Sequence, residues 1–140
     1  MSQRPLIHLD TILLIDLATV GSPHLGPVRE WLHTGEQLAT SAIAWSEFCG
    51  GPHSREQKEA VGVVLGQRVV DFSGKMGEQA SRLFHATGRK SGSHTECMIA
   101  AAAMVSGGCL ATRHLARFQK FVPLGLLLMP VVTLGIEAGE

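Results

Sequence analysis

Three acidic residues have the chemistry to work together, although they lie far apart along the chain. Asp10 ends a short apolar run, Glu47 lies in an apolar stretch, and Glu96 precedes a row of alanines. Like charges a few ångströms apart raise one another's pKa unless a cation lies between them. Carboxylate oxygens are hard ligands that suit Mg²⁺ or Mn²⁺, so these residues predict one divalent-metal site. Such a metal can activate a water for in-line attack on a phosphodiester.

Each acid also has a purely structural explanation. Asp10 lies between a predicted strand and a predicted helix, where an aspartate often caps the helix. Glu96 lies in a first helical turn and gains from the helix dipole. Glu47 is flanked by aromatic residues, where a purely solvated glutamate is less expected. Asp16, inside the first helix, is better suited to be a structural hydrogen-bond partner than a ligand.

Strand and helix patterns alternate along the chain. Short apolar runs predict strands over residues 6–10, 38–40, 69–72, 109–112 and 126–129, and helical spacing fills most of the intervals between them. This alternation predicts an α/β fold, a three-layer α/β/α sandwich with a short, mainly parallel sheet of four to five strands. We expect a single domain over residues 1–140, with about 130–140 forming a C-terminal tail.

The predicted strands place the acids at one edge of the sheet. In an open parallel sheet, sites form at the carboxyl ends of the strands. Asp10 and Thr112 are at such ends, Glu47 is on the helix after the second strand, and Glu96 is in the first turn of the alanine-rich helix. We therefore expect these four residues to face the same edge.

The composition is that of a folded protein with no strong overall field. Of 140 residues, 45% are hydrophobic and 17% are charged, and twelve basic residues balance twelve acidic ones. This balance counts against high-affinity, non-specific nucleic-acid binding, but not against an enzyme that contacts a few phosphates. Three cysteines without a CxxC pair, with no secretory signal and no membrane-spanning stretch, predict a cytoplasmic protein without membrane contact. The chain has no GxxxxGK[ST] or GxGxxG loop, which disfavours a nucleotide-binding α/β protein.

Four segments, in order, resemble the motifs of the PIN-domain family, most closely the VapC-type toxin ribonucleases of toxin–antitoxin pairs. They are residues 9–16 (LDTILLID), 40–50 (TSAIAWSEFCG), 96–103 (ECMIAAAA) and 110–118 (LATRHLARF). Their order and intervals match the family over almost the whole chain. The resemblance implies a PIN-like sandwich, Mg²⁺ or Mn²⁺, and cleavage of RNA as an endoribonuclease. It also implies a homodimer and a small antitoxin protein that covers the site.

The resemblance also assigns roles by position. Asp10, Glu47 and Glu96 would be the catalytic, metal-binding acids. Thr112 would orient the metal shell or a phosphate through its hydroxyl. With no acid from the fourth motif, we expect weak metal affinity.

The chain departs from the family pattern in its first, third and fourth motifs. Ile12 replaces a small polar residue that is often Asn, and Glu96 replaces an Asp. His114 and Arg117 stand where the family has an Asn and an acid. Arg117 would weaken metal binding or hold a phosphate in place of a metal. His114 is a candidate phosphate contact or acid–base group, and Arg113 a candidate phosphate contact, with solvent-exposed side chains as the alternative for both.

Two functions are therefore compatible with the sequence. The first is an active, metal-dependent ribonuclease toxin, favoured by the three remaining acids. The second is a catalytically degenerate PIN-like domain that binds RNA or a protein, favoured by Ile12 and Arg117. The basic loop around Arg89 and Lys90 would contact the RNA backbone in either case, or be simply solvated.

Overall fold

A five-stranded, wholly parallel sheet forms the centre of the structure, a computed structural model that describes residues 5–132. The strands lie side by side in the order β3-β2-β1-β4-β5. They are β1 (Ile7–Leu9), β2 (Leu38–Ser41), β3 (Val69–Val70), β4 (Cys109–Thr112) and β5 (Leu128–Pro130). This sheet confirms the predicted α/β fold.

Helices fill the intervals between the strands. They are α1 (Thr11–Ala18), α2 (Gly26–His33), α3 (Ala42–Cys49), α4 (Arg55–Val64), α5 (Gly74–Ala86), α6 (His94–Val105) and α7 (Leu115–Phe118), with a 3₁₀ helix over Gln119–Leu124. The side chains of Asp10, Ser41, Ser54 and Ser73 accept N–H groups at the starts of α1, α3, α4 and α5. These caps satisfy backbone donors that have no partner inside a helix, and so fix where each helix begins. Within residues 5–132, no helix is long and apolar enough to cross a membrane.

Both faces of the sheet are covered. Successive side chains of a strand point to opposite faces, and every residue of β1, β2 and β4 is buried. On one helix of the covering layers, α6, the four alanines Ala100–Ala103 are fully buried. Their small side chains let this helix pack closely, which supports the three-layer arrangement.

The predicted elements differ from the structure mainly at their ends. The third strand stops at Val70 rather than at residue 72. The segment 115–124, for which no helix is predicted, forms α7 and the 3₁₀ helix. Its irregular apolar spacing and the internal Pro123 conceal the helical period.

Residues 130 and 131, with which the predicted C-terminal tail starts, pack with the sheet. Pro130 still belongs to β5, and the buried Val131 donates its N–H to the Thr112 carbonyl at 2.9 Å. The remaining part of the predicted tail, residues 133–140, lies outside the described residues.

Candidate active site

The order of the strands creates a crevice next to Asp10. The chain passes from β1 to β2 and β3 on one side, and later reaches β4 and β5 on the other side of β1. A reversal of this kind leaves an opening outside the carboxyl ends of the two strands between which it occurs, here β1 and β4. Asp10 directly follows β1, and Thr112 is the last residue of β4.

Asp10 is both a helix cap and a buried acid in this crevice. One of its carboxylate oxygens, Oδ1, accepts the Leu13 N–H at 3.0 Å, and its own N–H donates to the Ala111 carbonyl at 3.3 Å. Only 2% of the residue is exposed. Asp10 therefore caps α1, as its structural alternative expects, and also lies where a site residue is expected.

The surroundings of Asp10 disfavour its charge. Burial raises the pKa of the Asp10 carboxyl above its ordinary value. Hydrogen bonds from the Thr112 hydroxyl and the Leu13 N–H, together with the nearby His114 and Arg117 side chains, offset only part of this rise in pKa. Ionised Asp10 would therefore gain from an added positive charge.

Glu47 is tied to the same edge by a hydrogen bond. The Thr11 hydroxyl donates to Glu47 Oε1 at 2.6 Å, and Thr11 is the residue after Asp10. The expectation that apolar neighbours would shield Glu47 is wrong, because Ala44 and Phe48 turn into the core while Glu47 faces solvent. Glu47 is therefore open to solvent, whereas Asp10 is buried.

Glu96 is held by two cations. Arg117 Nε lies 2.9 Å from Glu96 Oε2, and Lys120 Nζ lies 2.9 Å from Glu96 Oε1. Burial alone would raise the pKa of Glu96, but the hydrogen bonds and charges of Lys120 and Arg117 outweigh it and lower the pKa. Glu96 is therefore ionised and already neutralised by this chain.

Two residues at the end of β4 and just after it, Thr112 and Arg113, make hydrogen bonds within the chain. Arg113 forms two hydrogen bonds to Asp16, from Nε to Oδ2 at 2.8 Å and from Nη2 to Oδ1 at 3.2 Å. Asp16 thus has the structural role expected from its place in α1. The fully buried Thr112 accepts the His114 N–H at 2.9 Å. Arg113 is held in this pair, and phosphate contacts by Thr112, Arg113, His114 or Arg117 stay predictions.

The three carboxylates are not grouped into the predicted three-acid metal site in this structure, and that site stays a prediction. Within the described part of the chain, no three His, Cys, Asp or Glu side chains are grouped so that they could hold a metal ion. The reason is visible in the contacts: Glu47 is bound to Thr11, and both oxygens of Glu96 are bound to cations. The side chains of Asp10, Glu47 and Glu96 thus share an edge without forming a ready-made ligand set.

Lys120 is a residue of this edge that the sequence motifs do not indicate. It lies with Arg117 beside a surface pocket of about 320 Å³. The pocket is lined by Lys90, Ser91, Gly92, Ser93, Glu96, Ala116, Arg117 and Lys120. The three-residue spacing of Arg117 and Lys120 would have placed them on one side of a helix, but only if a helix had been predicted there.

Solved structures of toxin–antitoxin complexes contain chains of the same shape. VapBC2 from Rickettsia felis, bound to a DNA fragment from the promoter, matches with a TM-score of 0.69 at 18% identity, over 89% of this chain and 98% of that chain. A toxin–antitoxin complex from Klebsiella pneumoniae matches with a TM-score of 0.64 at 22% identity, over 89% and 97%. VapBC-1 from nontypeable Haemophilus influenzae gives 0.64 at 19% identity, also over 89% and 97%.

The chain has the PIN fold. The VapC-type resemblance carried by the four sequence motifs is thereby confirmed as a likeness of fold. Identities of 18% to 22% show the PIN fold alone and leave activity to be argued from the site. No protein-family model matches the sequence, and no curated protein does.

Proposed function

We propose that the chain is a ribonuclease, the toxin of a toxin–antitoxin pair, that hydrolyses RNA phosphodiester bonds at the Asp10 edge. The observation that carries this proposal is the position of Asp10, a buried carboxylate in the crevice between β1 and β4 of a PIN fold. The matched structures support the toxin assignment, because they are toxin–antitoxin complexes.

The surroundings of Asp10 favour a role in binding a proton or a cation over helix capping alone. Helix capping needs only an acceptor oxygen, which an Asn or Ser supplies without a buried charge. A carboxylate kept there despite its raised pKa is stabilised by a proton or by a cation. Mg²⁺ or Mn²⁺ remains part of the proposal, as do the RNA substrate, a small antitoxin and a homodimer.

Cleavage of a structured RNA by the purified chain, in Mn²⁺ and in Mg²⁺, tests the activity. We expect Asp10→Asn to remove at least about 99% of the rate, the size of a lost acid–base or ligand group. Asp71→Asn is a matched control, because Asp71 directly follows β3 as Asp10 follows β1, but is exposed. We expect Asp71→Asn to cleave at the wild-type rate.

The controls separate this activity from a contaminating nuclease. Equal cleavage by the wild type and by Asp10→Asn would overturn the assignment. Loss of cleavage in both Asp10→Asn and Asp71→Asn would mean that the activity does not reside at the Asp10 edge in particular.

The metal requirement is tested apart from the activity. We expect EDTA to stop cleavage, and titration calorimetry to show weak Mn²⁺ binding, because the three acids are not grouped and the fourth motif brings a cation, Arg117. Tight binding of two Mg²⁺ ions would contradict this expectation.

The proposed partners give separate observations. Co-expression with the product of a short neighbouring gene should yield a co-purifying complex in which RNA cleavage is suppressed. Sedimentation of the chain alone should show a dimer. A monomer at micromolar concentration would remove the homodimer from the proposal, and a complex that cleaves as fast as the free chain would remove the antitoxin.

A second function is favoured by one specific observation. Arg117 and Lys120 neutralise Glu96 within the chain, so the third acid is not free to take part in catalysis as arranged. A degenerate PIN-like domain would use the same edge to bind RNA or a protein without cutting. RNA binding that persists with no cleavage in either metal would select this function.

A further inference from the structure

The pocket beside Glu96 is lined mainly by polar and charged residues. Its walls come from three parts of the chain: the loop 90–93, the first turn of α6, and residues 116–120. The volume of about 320 Å³ suits one phosphodiester group with its ribose. A helical or extended protein segment would need a longer and more apolar groove.

The charges of the pocket are unequal. Lys90, Arg117 and Lys120 line it together with a single carboxylate, that of Glu96. The Glu96 ion pairs use one donor each of Arg117 and Lys120, namely Nε and one of the Nζ hydrogens. The remaining donors and the net positive charge favour a second anion.

Two buried aromatic rings lie next to the paired cations. The Arg117 guanidinium lies 5.9 Å from the centre of the Phe118 ring, and Lys120 Nζ lies 5.2 Å from that of Phe121. Both rings are buried, at 1% and 0% exposure. Each cation thus has a ring of the core within the range of a cation–π interaction.

The start of α6 adds to the attraction for an anion. Ser93 precedes this twelve-residue helix but does not cap it, because its hydroxyl donates to the Lys90 carbonyl at 2.8 Å. The positive end of the helix dipole therefore faces the pocket without a side-chain cap. Glu96, in the first turn of α6, is the only acid among the residues that line the pocket, and its carboxylate is the anion that the pocket already holds.

The pocket and the Asp10 crevice are within electrostatic reach of each other. Arg117 lines the pocket and is also one of the side chains whose charge acts on the Asp10 carboxyl. A backbone phosphate bound at Arg117 would therefore lie close enough to the crevice for its charge to act on Asp10. An exposed cation far from the crevice would have no such connection.

We propose that this pocket binds a phosphodiester group of the RNA backbone and that Glu96 is its built-in counter-ion, displaced from Arg117 and Lys120 by the phosphate. The proposal rests on RNA as substrate and deepens the proposed function. The planar guanidinium of Arg117 suits bidentate phosphate contact, and Lys120 supplies a point charge. Glu96 then regulates affinity for RNA, a role distinct from the metal ligation implied by its motif.

Fluorescence anisotropy with a fluorescein-labelled single-stranded RNA tests the proposal, in EDTA and over a range of salt concentrations. Glu96→Gln removes the competing anion while keeping the side-chain size. We expect it to tighten RNA binding about fivefold at low salt, the effect of one unit charge at contact distance in water. The paired change Arg117→Gln and Lys120→Gln should weaken binding and reduce the salt slope by about 0.7 for each lost phosphate contact.

Glu59→Gln is the matched control. It breaks the Arg55–Glu59 ion pair of α4, which has a similar length of 3.0 Å and does not line the pocket. We expect its RNA affinity to equal that of the wild type. Circular dichroism should show all variants folded, since the changed side chains are polar and lie outside the core.

The outcomes distinguish this proposal from the proposed function. If Glu96→Gln binds RNA no tighter than the wild type, the counter-ion role is overturned, whether or not the wild type cleaves RNA. If the double variant loses affinity for a poly-glutamate peptide but not for RNA, the pocket serves an acidic protein segment instead. If Glu96→Gln has unchanged RNA affinity in EDTA but binds Mn²⁺ more weakly, Glu96 is a metal ligand, as its motif implies.

Discussion

Asp10 and Glu96 both come from motifs that supply an acid, yet the fold gives them opposite surroundings. Asp10 is 2% exposed, and burial raises its pKa. Glu96 is held between Arg117 and Lys120, which lower its pKa against the effect of burial. One acid would gain from an added cation, whereas the other already has two.

This difference separates two tasks within one edge of the sheet. The Asp10 region lies where the strand order reverses, and an added positive charge would stabilise the Asp10 carboxylate. The Glu96 region is a basic pocket with its own counter-ion, and its excess charge suits a phosphate. Two carboxylates that two different motifs bring to the same edge therefore need not be ligands of the same ion.

The largest expected effect comes from comparing Asp10→Asn with Glu96→Gln in RNA cleavage. We expect a loss of about a hundredfold or more for Asp10→Asn. Because Glu96 is already paired within the chain, Glu96→Gln should cost less than about tenfold, the equivalent of 1.4 kcal/mol. Rates from initial cleavage velocities check this order, and equal losses would erase the distinction between the two regions.

We expect His8 to dominate the pH dependence of the free energy of unfolding. This effect is separate from any pH dependence of the Asp10 and Glu96 regions. Burial lowers the pKa of His8 from 6.5 to about 4, and Nδ1 lacks a hydrogen-bond partner within the described residues. The unfolded chain then binds the proton more readily, so stability is full above pH 6.5 and falls as the pH drops toward 4. This shift corresponds to about 3 kcal/mol.

Urea unfolding at pH 7 and at pH 5 measures this effect of His8. The Asp10→Asn background removes the opposite contribution of Asp10, whose raised pKa favours the folded state at low pH. His8→Leu should flatten the profile between pH 6.5 and 4. A profile that stays equally steep in His8→Leu would assign the slope to another group.

Arg113 supports the segment that joins the two regions, between Thr112 and Arg117. Arg113→Met would leave Asp16 buried without its bidentate partner, at a cost of about 2 kcal/mol in the free energy of unfolding. Denaturant melts measure this cost. Adding Asp16→Asn should recover part of the lost stability, and no recovery would show that the loss does not come from the stranded carboxylate.

The smallest effect is expected for Glu96→Gln on stability. The Arg117 side chain is 45% exposed and that of Lys120 is 33% exposed, so solvent screens both ion pairs. We expect a loss of less than about 1 kcal/mol in the free energy of unfolding. A much larger loss in thermal melts would mean that the Glu96 cluster holds the fold together, and would weaken its interpretation as a displaceable counter-ion.

The sequence predicts the Asp10 region well because the signals there are local. An apolar run, an acid and a helical pattern within about a dozen residues specify strand, cap and helix, and the structure has all three. The buried alanines of α6 are equally visible in the sequence. The parallel sheet follows from the alternation of such segments.

The Glu96 region is less predictable because its contacts join distant segments through a short, irregular element. Arg117 and Lys120 lie 21 and 24 residues beyond Glu96, in α7 and the 3₁₀ helix. The bond from Thr11 to Glu47 likewise spans 36 residues. No local pattern shows which of several charged side chains will meet.

The sequence by itself determined the α/β fold, the resemblance to PIN domains and the placing of Asp10, Glu47 and Glu96 at one edge, because strand–helix periodicity and motif order are properties of the chain. Only the tertiary structure decided what those acids touch. The protonation of a carboxylate depends on burial and on charges a few ångströms away. Those distances are set by packing between remote segments, and here they give Asp10 a crevice and Glu96 two cations.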